Sequence, residues 1–287
     1  MTADVDYGKL IMKSAEKIKI NGDYSEFEGP AEGWIMDRTA QPYSHLLAQI
    51  RAERPLIHNV TNFVVMNVTA NALLAVGASP VMAHALEEVT EFAAMSHAVV
   101  VNMGTVDSAF FPAMDMAARR ARKRSIPWVL DPVGFGTTRF REGVGKHLVR
   151  LKPSVVRGNA SEIMALAGGK ASGKGVDAGD ASDAAIDAAK RLSLKRNTVV
   201  AVTGAIDYVI AGDEVTEITG GHALSQQVTG TGCMTTALVG AFLAVAPPQE
   251  AAVAALQLMK HAAEIAASGS KGPGSFAVAL IDALAAA

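Results

Sequence analysis

The sequence predicts an α/β fold in which a mostly parallel β-sheet is covered by helices on both faces. Short valine-rich runs recur along the chain, and stretches with helical periodicity separate them. Strands of a parallel sheet are buried on both faces, so they have this continuous apolar composition. With 287 residues, 50% of them hydrophobic, the chain can bury a sizeable core. The length allows one large α/β domain or two small ones.

The predicted elements begin with a helix that runs from Tyr43 to Arg54. Asp107 and Ser108 can cap a later helix, whose basic end at residues 119–124 complements the negative end of the helix dipole. Four apolar runs predict strands of the sheet, at residues 98–102, 128–131, 155–157 and 198–202. Strands and helices therefore alternate, which favours parallel pairing.

The last third of the chain predicts a hairpin followed by helices. Residues 208–210 and 214–218 are short and alternate in polarity, which indicates a hairpin at the edge of the sheet. From Thr231 onward the pattern is helical and rich in alanine, with a break at residues 271–274. The uncharged stretch 233–248 has only 16 residues. A membrane span needs about 18–20 apolar residues, so this stretch predicts a buried helix.

Charge and cysteine content exclude several classes of function. Lys plus Arg is 26 and Asp plus Glu is 28, a net charge of −2, which is no footprint for nucleic acid or an anionic membrane. We therefore expect a small-molecule or protein partner. The single cysteine, Cys233, cannot form an intramolecular disulfide, and the seven histidines show no metal-ligand spacing. The N-terminus lacks the apolar core of a signal peptide, so a cytoplasmic location is predicted.

Residues 1–40 differ from the rest of the chain. They are charged and weakly periodic, and Gly29, Pro30 and Gly33 interrupt them. We interpret them as a weakly structured or peripheral N-terminal extension, with Met36 as an alternative start. Residues 41–287 then form a single domain.

Polar residues follow three of the predicted strands, where ligands bind in open parallel sheets. Asp131 stands at one strand end, Arg157 and Glu162 at the next, and Thr203 at a third. Asp131 at one strand end and the pair of Asn159 and Glu162 at the next could hold Mg²⁺ through water, and the guanidinium of Arg157 suits phosphate oxygens. These residues also have structural interpretations. Asp131 followed by Pro132 is a common opening of a turn, and Asn159 is a common helix cap.

A glycine-rich segment, VTGTGC at residues 228–233, precedes the long apolar helix. Gly230 and Gly232 let backbone N–H groups converge on an anion at the helix N-terminus. The spacing fits neither a P-loop nor a dinucleotide-binding fingerprint. The alternative is a tight turn before a core helix, with Cys233 as a buried inert thiol. Further upstream, residues 56–62 around His58 predict a polar loop.

Seven segments together carry a family resemblance. They are IHNVTN (57–62), GASPVM (77–82), LDPVG (130–134), RGNASE (157–162), VTG (202–204), VTGTGC (228–233) and KGPGSF (271–276). In this order they resemble the hydroxyethylthiazole kinases, thiamine-salvage enzymes of the ribokinase-like superfamily. The resemblance covers about residues 43–287 and implies a ribokinase-like three-layer αβα fold.

The resemblance implies transfer of the γ-phosphoryl group of ATP, with Mg²⁺, to the hydroxyl of 4-methyl-5-(2-hydroxyethyl)thiazole. It also implies a homotrimer with active sites at the subunit interfaces. The matching positions are Asn62, Val64, Met82 and Gly230 for the thiazole, Arg157, Thr203 and Gly204 for the nucleotide, Asp131 and Glu162 for the metal, and Cys233, Gly230 and Gly232 for catalysis.

Cys233 stands where most ribokinase-like kinases have the aspartate that accepts the substrate's proton. A free thiol has a pKa near roughly 8.5, and a helix N-terminus lowers it, so we expect partial ionisation at neutral pH. Two alternatives remain: a related kinase for another alcohol, such as hydroxymethylpyrimidine or a sugar, and a nucleotide-binding sensor without catalysis. Cys233, Asn62 and Met82 argue against the first, and the acidic and glycine positions against the second.

Overall fold

A computed structural model describes residues 41–169 and 178–287. Within these residues eight strands form one sheet in the order β2-β1-β3-β4-β5-β6-β7-β8. The strands are β1 (Leu56–Val60), β2 (Ser79–Val81), β3 (Ala98–Asn102), β4 (Trp128–Asp131), β5 (Val155–Asn159), β6 (Val199–Thr203), β7 (Asp207–Ala211) and β8 (Glu214–Ile218). Strands β1 to β6 pair in parallel, and β7 and β8 continue the sheet antiparallel.

The helices of the described residues connect and cover these strands. They are α1 (Ser44–Glu53), α2 (Met66–Ala75), α3 (Val89–Met95), α4 (Phe111–Lys123), α5 (Arg139–Val149), α6 (Ala160–Leu166), α7 (Ala178–Arg196), α8 (Thr231–Leu243), α9 (Pro248–Ser268) and α10 (Pro273–Ala286). A 3₁₀ turn at Ala223–Gln227 precedes α8. In the part of the chain that the structure describes, no helix combines the length and hydrophobicity needed to cross a membrane.

The sheet separates two hydrophobic cores, as the valine-rich strands predict. On β3, Val100 faces a core formed with α1, α2, α8, α9 and α10, whereas Val99 and Val101 face a core formed with α3, α4, α5 and α7. Successive side chains of a strand point to opposite faces, so a strand between two helical layers is apolar throughout. The predicted three-layer α/β fold is confirmed.

The predicted strands, the edge hairpin and the helical C-terminal part are confirmed. The stretch 233–248 is not one continuous helix, because α8 ends at Leu243 and α9 begins at Pro248. The basic run does end α4, but the helix begins only at Phe111. Asp107 instead accepts the N–H groups of Ala109 and Phe110 (2.9 and 2.7 Å) and stabilises the turn ahead of the helix. The predicted extension at residues 1–40 lies outside the described residues.

The expectation of a polar loop at residues 56–62 is wrong for its first part, which is strand β1. His58 and Asn59 are completely buried there. His58 Nε2 donates to the carbonyl of Ala83 (2.7 Å), and Asn59 Nδ2 donates to Thr69 Oγ1 (3.0 Å). Because these partners come from other segments, they satisfy polar groups that would otherwise exclude a buried strand.

Gly240 lets α8 lie close to the sheet. A Cβ at this position would clash with Cγ2 of Val100 on β3 and would lie 3.4 Å from Cγ2 of Ile57 on β1. The helix axis could not keep its present distance from the strands with a larger residue here. The carboxyl ends of β1 and β3 and the N-terminus of α8 therefore depend on this contact for their relative position.

We expect Gly240→Ala to lower the free energy of unfolding by about 1–3 kcal/mol, because the extra methyl group overpacks the core. Gly143→Ala is the matched control, since Gly143 lies in α5 and a Cβ there meets nothing within 4 Å. That control should raise stability by about 0.5–1 kcal/mol through the backbone entropy of the unfolded chain. Urea unfolding measures both, and equal effects would contradict the packing argument.

Candidate active site

The carboxyl ends of the central strands bring the predicted polar residues together beside the N-terminus of α8. Asn102 ends β3, Asp131 ends β4 and Thr203 ends β6, and their register pairs Asn102 with Asp131. Asn159, at the end of β5, pairs with Thr203. Parallel strands end at the same edge of the sheet, which is why residues distant in sequence meet here.

Asp131 is the buried acidic centre of this edge. Its side chain is completely buried. Oδ2 accepts hydrogen bonds from Asn102 Nδ2 (2.8 Å) and Thr236 Oγ1 (2.7 Å), and Arg157 Nη1 lies 3.7 Å away. Oδ1 has no hydrogen-bond partner among the described residues. Burial raises the pKa of Asp131 to about 6, although the positive charge of Arg157 opposes that shift.

Asn102 connects three of the predicted site residues, and the sequence interpretation missed it. Besides Asp131, its Nδ2 group donates to Cys233 Sγ (3.2 Å). Its Oδ1 accepts hydrogen bonds from Asn62 Nδ2 (2.8 Å) and from the backbone of Gly104 (2.9 Å). One signal was available, since Asn102 is the polar residue that ends a valine-rich strand, as Asp131 does.

Cys233 lies in the first turn of α8, and its thiol is partly buried. Sγ accepts from Asn102 Nδ2 and lies 3.7 Å from Asn62 Nδ2. Burial, and secondly the negative charge of Asp131, raise the pKa of the Cys233 thiol to about 11. The expectation of a lowered thiol pKa is therefore wrong. The helix N-terminus favours the thiolate, but loss of solvation and a neighbouring carboxylate outweigh it.

Glycine is suited to positions 230 and 232, at the start of α8, for different structural reasons. Gly230 has a φ of 91°, a left-handed conformation that favours glycine. At Gly232 space decides, because a Cβ would lie 2.7 Å from both Nη1 and Nη2 of Arg157. The guanidinium of Arg157 therefore rests against the first turn of α8, where the helix dipole is positive. This end of the sheet is suited to an anion.

Arg157 also reaches the next strand, where Nη2 donates to Thr203 Oγ1 (2.5 Å). Its Nε atom is buried and unpartnered within residues 41–169 and 178–287. A buried donor without a partner is unusual in a folded protein, and a bound ligand commonly satisfies such a group. Arg157 is thus shared between the protein's own contacts and an open hydrogen-bonding position.

Glu162 joins the loop after β4 to the start of α6. Oε1 accepts the N–H of Gly134 (2.8 Å), and Oε2 accepts the N–H of Asn159 (2.9 Å). Asn159 Oδ1 in turn accepts the N–H of Glu162 (2.9 Å), which completes a capping box. The structural interpretation of Asn159 as a helix cap is confirmed. Among the residues described, no three His, Cys, Asp or Glu side chains converge as a metal-binding cluster.

A cleft of about 610 Å³ is lined by Arg157 and by Gly232, the residue that precedes Cys233. Thr203 and Gly204 also line it. The remaining lining residues include polar and small side chains of the segments before α8 and on α9, among them Asp207, Gly220, Gly221, His222, Ser225, Gln226, Thr231, Thr235, Met259, Lys260 and Ala263.

Of the residues expected to bind the thiazole, Asn62 lies beside Cys233, with 3.7 Å between its Nδ2 and Sγ. Asn62 is buried and its Oδ1 accepts the N–H of Val64 (3.1 Å), but the Val64 side chain is 63% exposed. Gly230 lies next to Val65, and a Cβ added to Gly230 would be 3.1 Å from Cγ1 of Val65. Met82 is half-buried, and its backbone carbonyl accepts a hydrogen bond from His84 Nδ1 (3.3 Å). The structure therefore brings Asn62 into the polar network, whereas Met82 forms no hydrogen bond with that network within residues 41–169 and 178–287.

Comparison with known proteins identifies the family of the chain. A sequence model of the hydroxyethylthiazole kinase family matches residues 47–287. A hydroxyethylthiazole kinase from Cereibacter sphaeroides is 51% identical over 238 residues, which cover 83% of this chain and 91% of that protein. A second one, from Rhizobium etli, is 49% identical over 243 residues, covering 84% of this chain and 94% of the relative.

Solved structures show the same fold. A hydroxyethylthiazole kinase structure from Pyrococcus horikoshii OT3 superposes with a TM-score of 0.79 at 46% identity, covering 85% of this chain and 92% of that one. A pyridoxal kinase from Bacillus subtilis, solved as an ADP complex, has a TM-score of 0.55 at 19% identity, covering 72% and 90%, and supports the fold alone. The family match and the identity over most of each relative lead to one conclusion: the chain belongs to the hydroxyethylthiazole kinase family, and it is a kinase of the phosphotransferase class.

Proposed function

We propose that this protein transfers the γ-phosphoryl group of ATP to the hydroxyl of 4-methyl-5-(2-hydroxyethyl)thiazole and so supplies the thiazole phosphate for thiamine synthesis. The observation that supports it best is the meeting of two regions at Gly232. Gly232 lines the cleft together with Arg157 and Thr203, and the next residue, Cys233, belongs to the network with Asn62 and Asn102. Donor and acceptor would thus approach each other at one helix N-terminus.

In this proposal the nucleotide occupies the cleft. Arg157, whose Nε is unpartnered, binds phosphate oxygens with its forked donors, and Thr203 and Gly204 contact the nucleotide from the end of β6. The N–H groups of the turn from Gly230 to Gly232 stabilise the charge of the phosphoryl group in transfer. Positioning and charge stabilisation are the main contributions to phosphoryl transfer, and these residues supply both.

We also propose that Mg²⁺ is held with the phosphates by Asp131 and Glu162. The unpartnered buried Oδ1 of Asp131 fits a cation, and Mg²⁺ is commonly held by one or two carboxylates together with phosphates and water. The bound ion would neutralise phosphate charge. Glu162 already binds two backbone N–H groups, so it positions the loop of Gly134 and has only its remaining lone pairs for a water ligand.

The thiazole alcohol, in this proposal, lies against Asn62, Val64, Met82 and Gly230. Phe63 and Val64 are 56% and 63% exposed beside this region. Exposed apolar side chains next to a binding site favour coverage by another protein surface. We therefore propose a homotrimer in which a neighbouring subunit completes each site.

We further propose that residues 41–287 form one kinase domain and that the enzyme acts in the cytoplasm, which its free cysteine favours.

The high pKa of the thiol favours one of the two roles open to Cys233. A thiol that is protonated at neutral pH does not accept the proton of the substrate hydroxyl. In a loose transition state the hydroxyl proton need not leave before the phosphoryl group arrives. We propose that Cys233 lines the acceptor site and positions the alcohol.

Thiol titration tests the state of Cys233 directly, since the chain has one cysteine. We expect alkylation by iodoacetamide to be slow at pH 7–8 and to rise with a midpoint near pH 11, because burial and Asp131 oppose the thiolate. Asp131→Asn should lower that midpoint by removing the like charge. The urea-unfolded protein is the control and should titrate near about 8.5. A native midpoint at or below this control would contradict the positioning role.

A coupled kinase assay with ATP and Mg²⁺ tests the function. We expect turnover of the hydroxyethylthiazole, with Cys233→Ala losing less than about tenfold in kcat and Asp131→Asn losing about 100-fold or more. Since burial raises the pKa of Asp131 to about 6 in the ligand-free protein, kcat/KM should rise with pH as this carboxyl group ionises around that value.

The outcomes of this assay separate the proposal from its alternatives. Faster turnover of hydroxymethylpyrimidine or a sugar would identify a kinase for another alcohol. Nucleotide binding without turnover of any alcohol would identify a sensor that lacks catalysis. Either result would reject the thiazole kinase.

Asn102→Ala tests the polar network. We expect kcat to fall about 10–100-fold, because Asn62, Asp131 and Cys233 lose their common hydrogen-bond partner. Asn71→Ala is the matched control: Asn71 is exposed on α2, and its amide bonds only Asn67 among the contacts described (3.2 Å). Steady-state kinetics of both variants measure the difference, and a wild-type kcat for Asn102→Ala would refute the network's role.

A further inference from the structure

Two charged side chains, of the buried Asp207 and the half-buried Lys260, hold the turn that follows β6. Asp207 opens β7, and its Oδ1 accepts the N–H of Gly204 (2.8 Å). Lys260 comes from α9, and its Nζ donates to the carbonyls of Gly204 (3.3 Å) and Ala205 (2.7 Å). The same Nζ lies 3.4 Å from Asp207 Oδ1. Both polar groups of Gly204 are therefore bound by side chains from other elements.

This turn forms a wall of the cleft. Gly204, Ala205, Asp207 and Lys260 all line it, together with Thr203. The antiparallel ladder between β6 and β7 ends at the pair of Val202 and Tyr208. The turn between these strands therefore extends beyond the ladder, where the contacts of Lys260 and Asp207 hold it.

The ion pair is poorly placed to act as a stability device. The side chains of Lys260 and Asp207 are only 12% and 8% exposed. Burial raises the pKa of Asp207, and Lys260 opposes this shift as the positive partner. Buried ion pairs seldom add stability, because desolvation offsets their attraction. A role in orienting the neighbouring backbone accounts better for such a pair at the edge of a binding cleft.

Lys260 already has an acceptor for each of its three N–H groups: two carbonyls and a carboxylate. It differs in this from Arg157, whose Nε is unpartnered. Lys260 is therefore satisfied without a ligand and acts on a ligand through the turn that it holds. Other charges near it are Glu264 on the same helix and Glu217 on β8, which line a separate cavity of about 280 Å³ with it.

We propose that Lys260 and Asp207 are a positioning pair for the nucleotide, which fixes the backbone of Gly204 and Ala205 where ATP binds. The proposal rests on the assignment of the cleft to the nucleotide. Loss of the pair should weaken the binding of ATP and leave the binding of the alcohol unchanged, because the turn is not among the residues assigned to the acceptor site.

The experiment compares Lys260→Met, Lys260→Arg and Asp207→Asn with the wild-type protein. KM is measured for ATP and for the thiazole alcohol, and the Kd of a non-hydrolysable ATP analogue is measured by calorimetry. We expect Lys260→Met to raise the KM and Kd of the nucleotide by about tenfold or more and to leave the KM of the alcohol within about twofold. Lys260→Arg should restore most of the affinity, since it keeps the charge and the donors.

Lys146→Met is the matched control. Lys146 forms an ion pair with Glu142 on α5 (2.6 Å), but the two side chains are 55% and 39% exposed. An exposed pair of this kind contributes little. The nucleotide KM of the control should equal that of the wild type.

Three results would overturn the proposal: an unchanged nucleotide KM in folded Lys260→Met, an equal rise of both KM values, and no rescue by Lys260→Arg. Where Lys260→Met fails to fold, Asp207→Asn decides on the same readouts: a raised nucleotide KM with an unchanged KM of the alcohol supports the proposal, and an unchanged nucleotide KM overturns it. Arg157→Ala separates this proposal from the proposed function. If Arg157→Ala also leaves nucleotide affinity unchanged, the cleft is not the nucleotide site; if only Arg157→Ala weakens it, the positioning pair alone is rejected.

Discussion

The buried carboxylate of Asp131 is the constraint on which the site depends. Two hydrogen bonds and a guanidinium 3.7 Å away do not replace the water that this group loses, so its pKa rises to about 6. A carboxyl group with a raised pKa in the folded state favours folding in its protonated form. That contribution to stability is complete below the unfolded pKa and is lost as the pH rises through 6. At neutral pH the protein therefore holds an ionised group that destabilises the fold, as expected of a residue kept for function.

The same carboxylate sets the character of the neighbouring groups. Its charge and the burial of the site keep the thiol of Cys233 protonated, while Arg157 and the first turn of α8 make the adjacent cleft electropositive. Asn102 donates to the carboxylate and to the thiol with one amide group, so their relative positions are fixed by a single side chain. A neutral acceptor region and a positive donor region thus lie next to each other, which suits the transfer of an anionic group to an alcohol.

The sequence predicted those features that depend on local composition. Valine-rich strands such as β3 were recognisable because burial on both faces leaves an apolar run. Strand β1 was not, since His58 and Asn59 are polar and their partners come from distant segments. Asp131 and Arg157 were found because they follow predicted strands. The predicted shift of the Cys233 thiol pKa had the wrong direction. The helix N-terminus, which lowers this pKa, can be recognised in the sequence. Burial and the approach of Asp131, which raise it, arise only when β4 packs against α8.

The segment TGTGC illustrates how one sequence pattern contains two physical requirements. Gly230 provides a left-handed backbone, while the absence of a side chain at Gly232 lets the guanidinium of Arg157 lie against the helix turn. The sequence pattern predicts an anion-binding turn, but this prediction covers only the backbone N–H groups of the turn. The contact with Arg157 adds a charged partner from β5 to the same helix turn, whose next residue is Cys233. Since the donor and acceptor regions share this single turn of α8, the packing of α8 on the sheet determines how they face each other, and the close approach at Gly240 belongs to the same requirement.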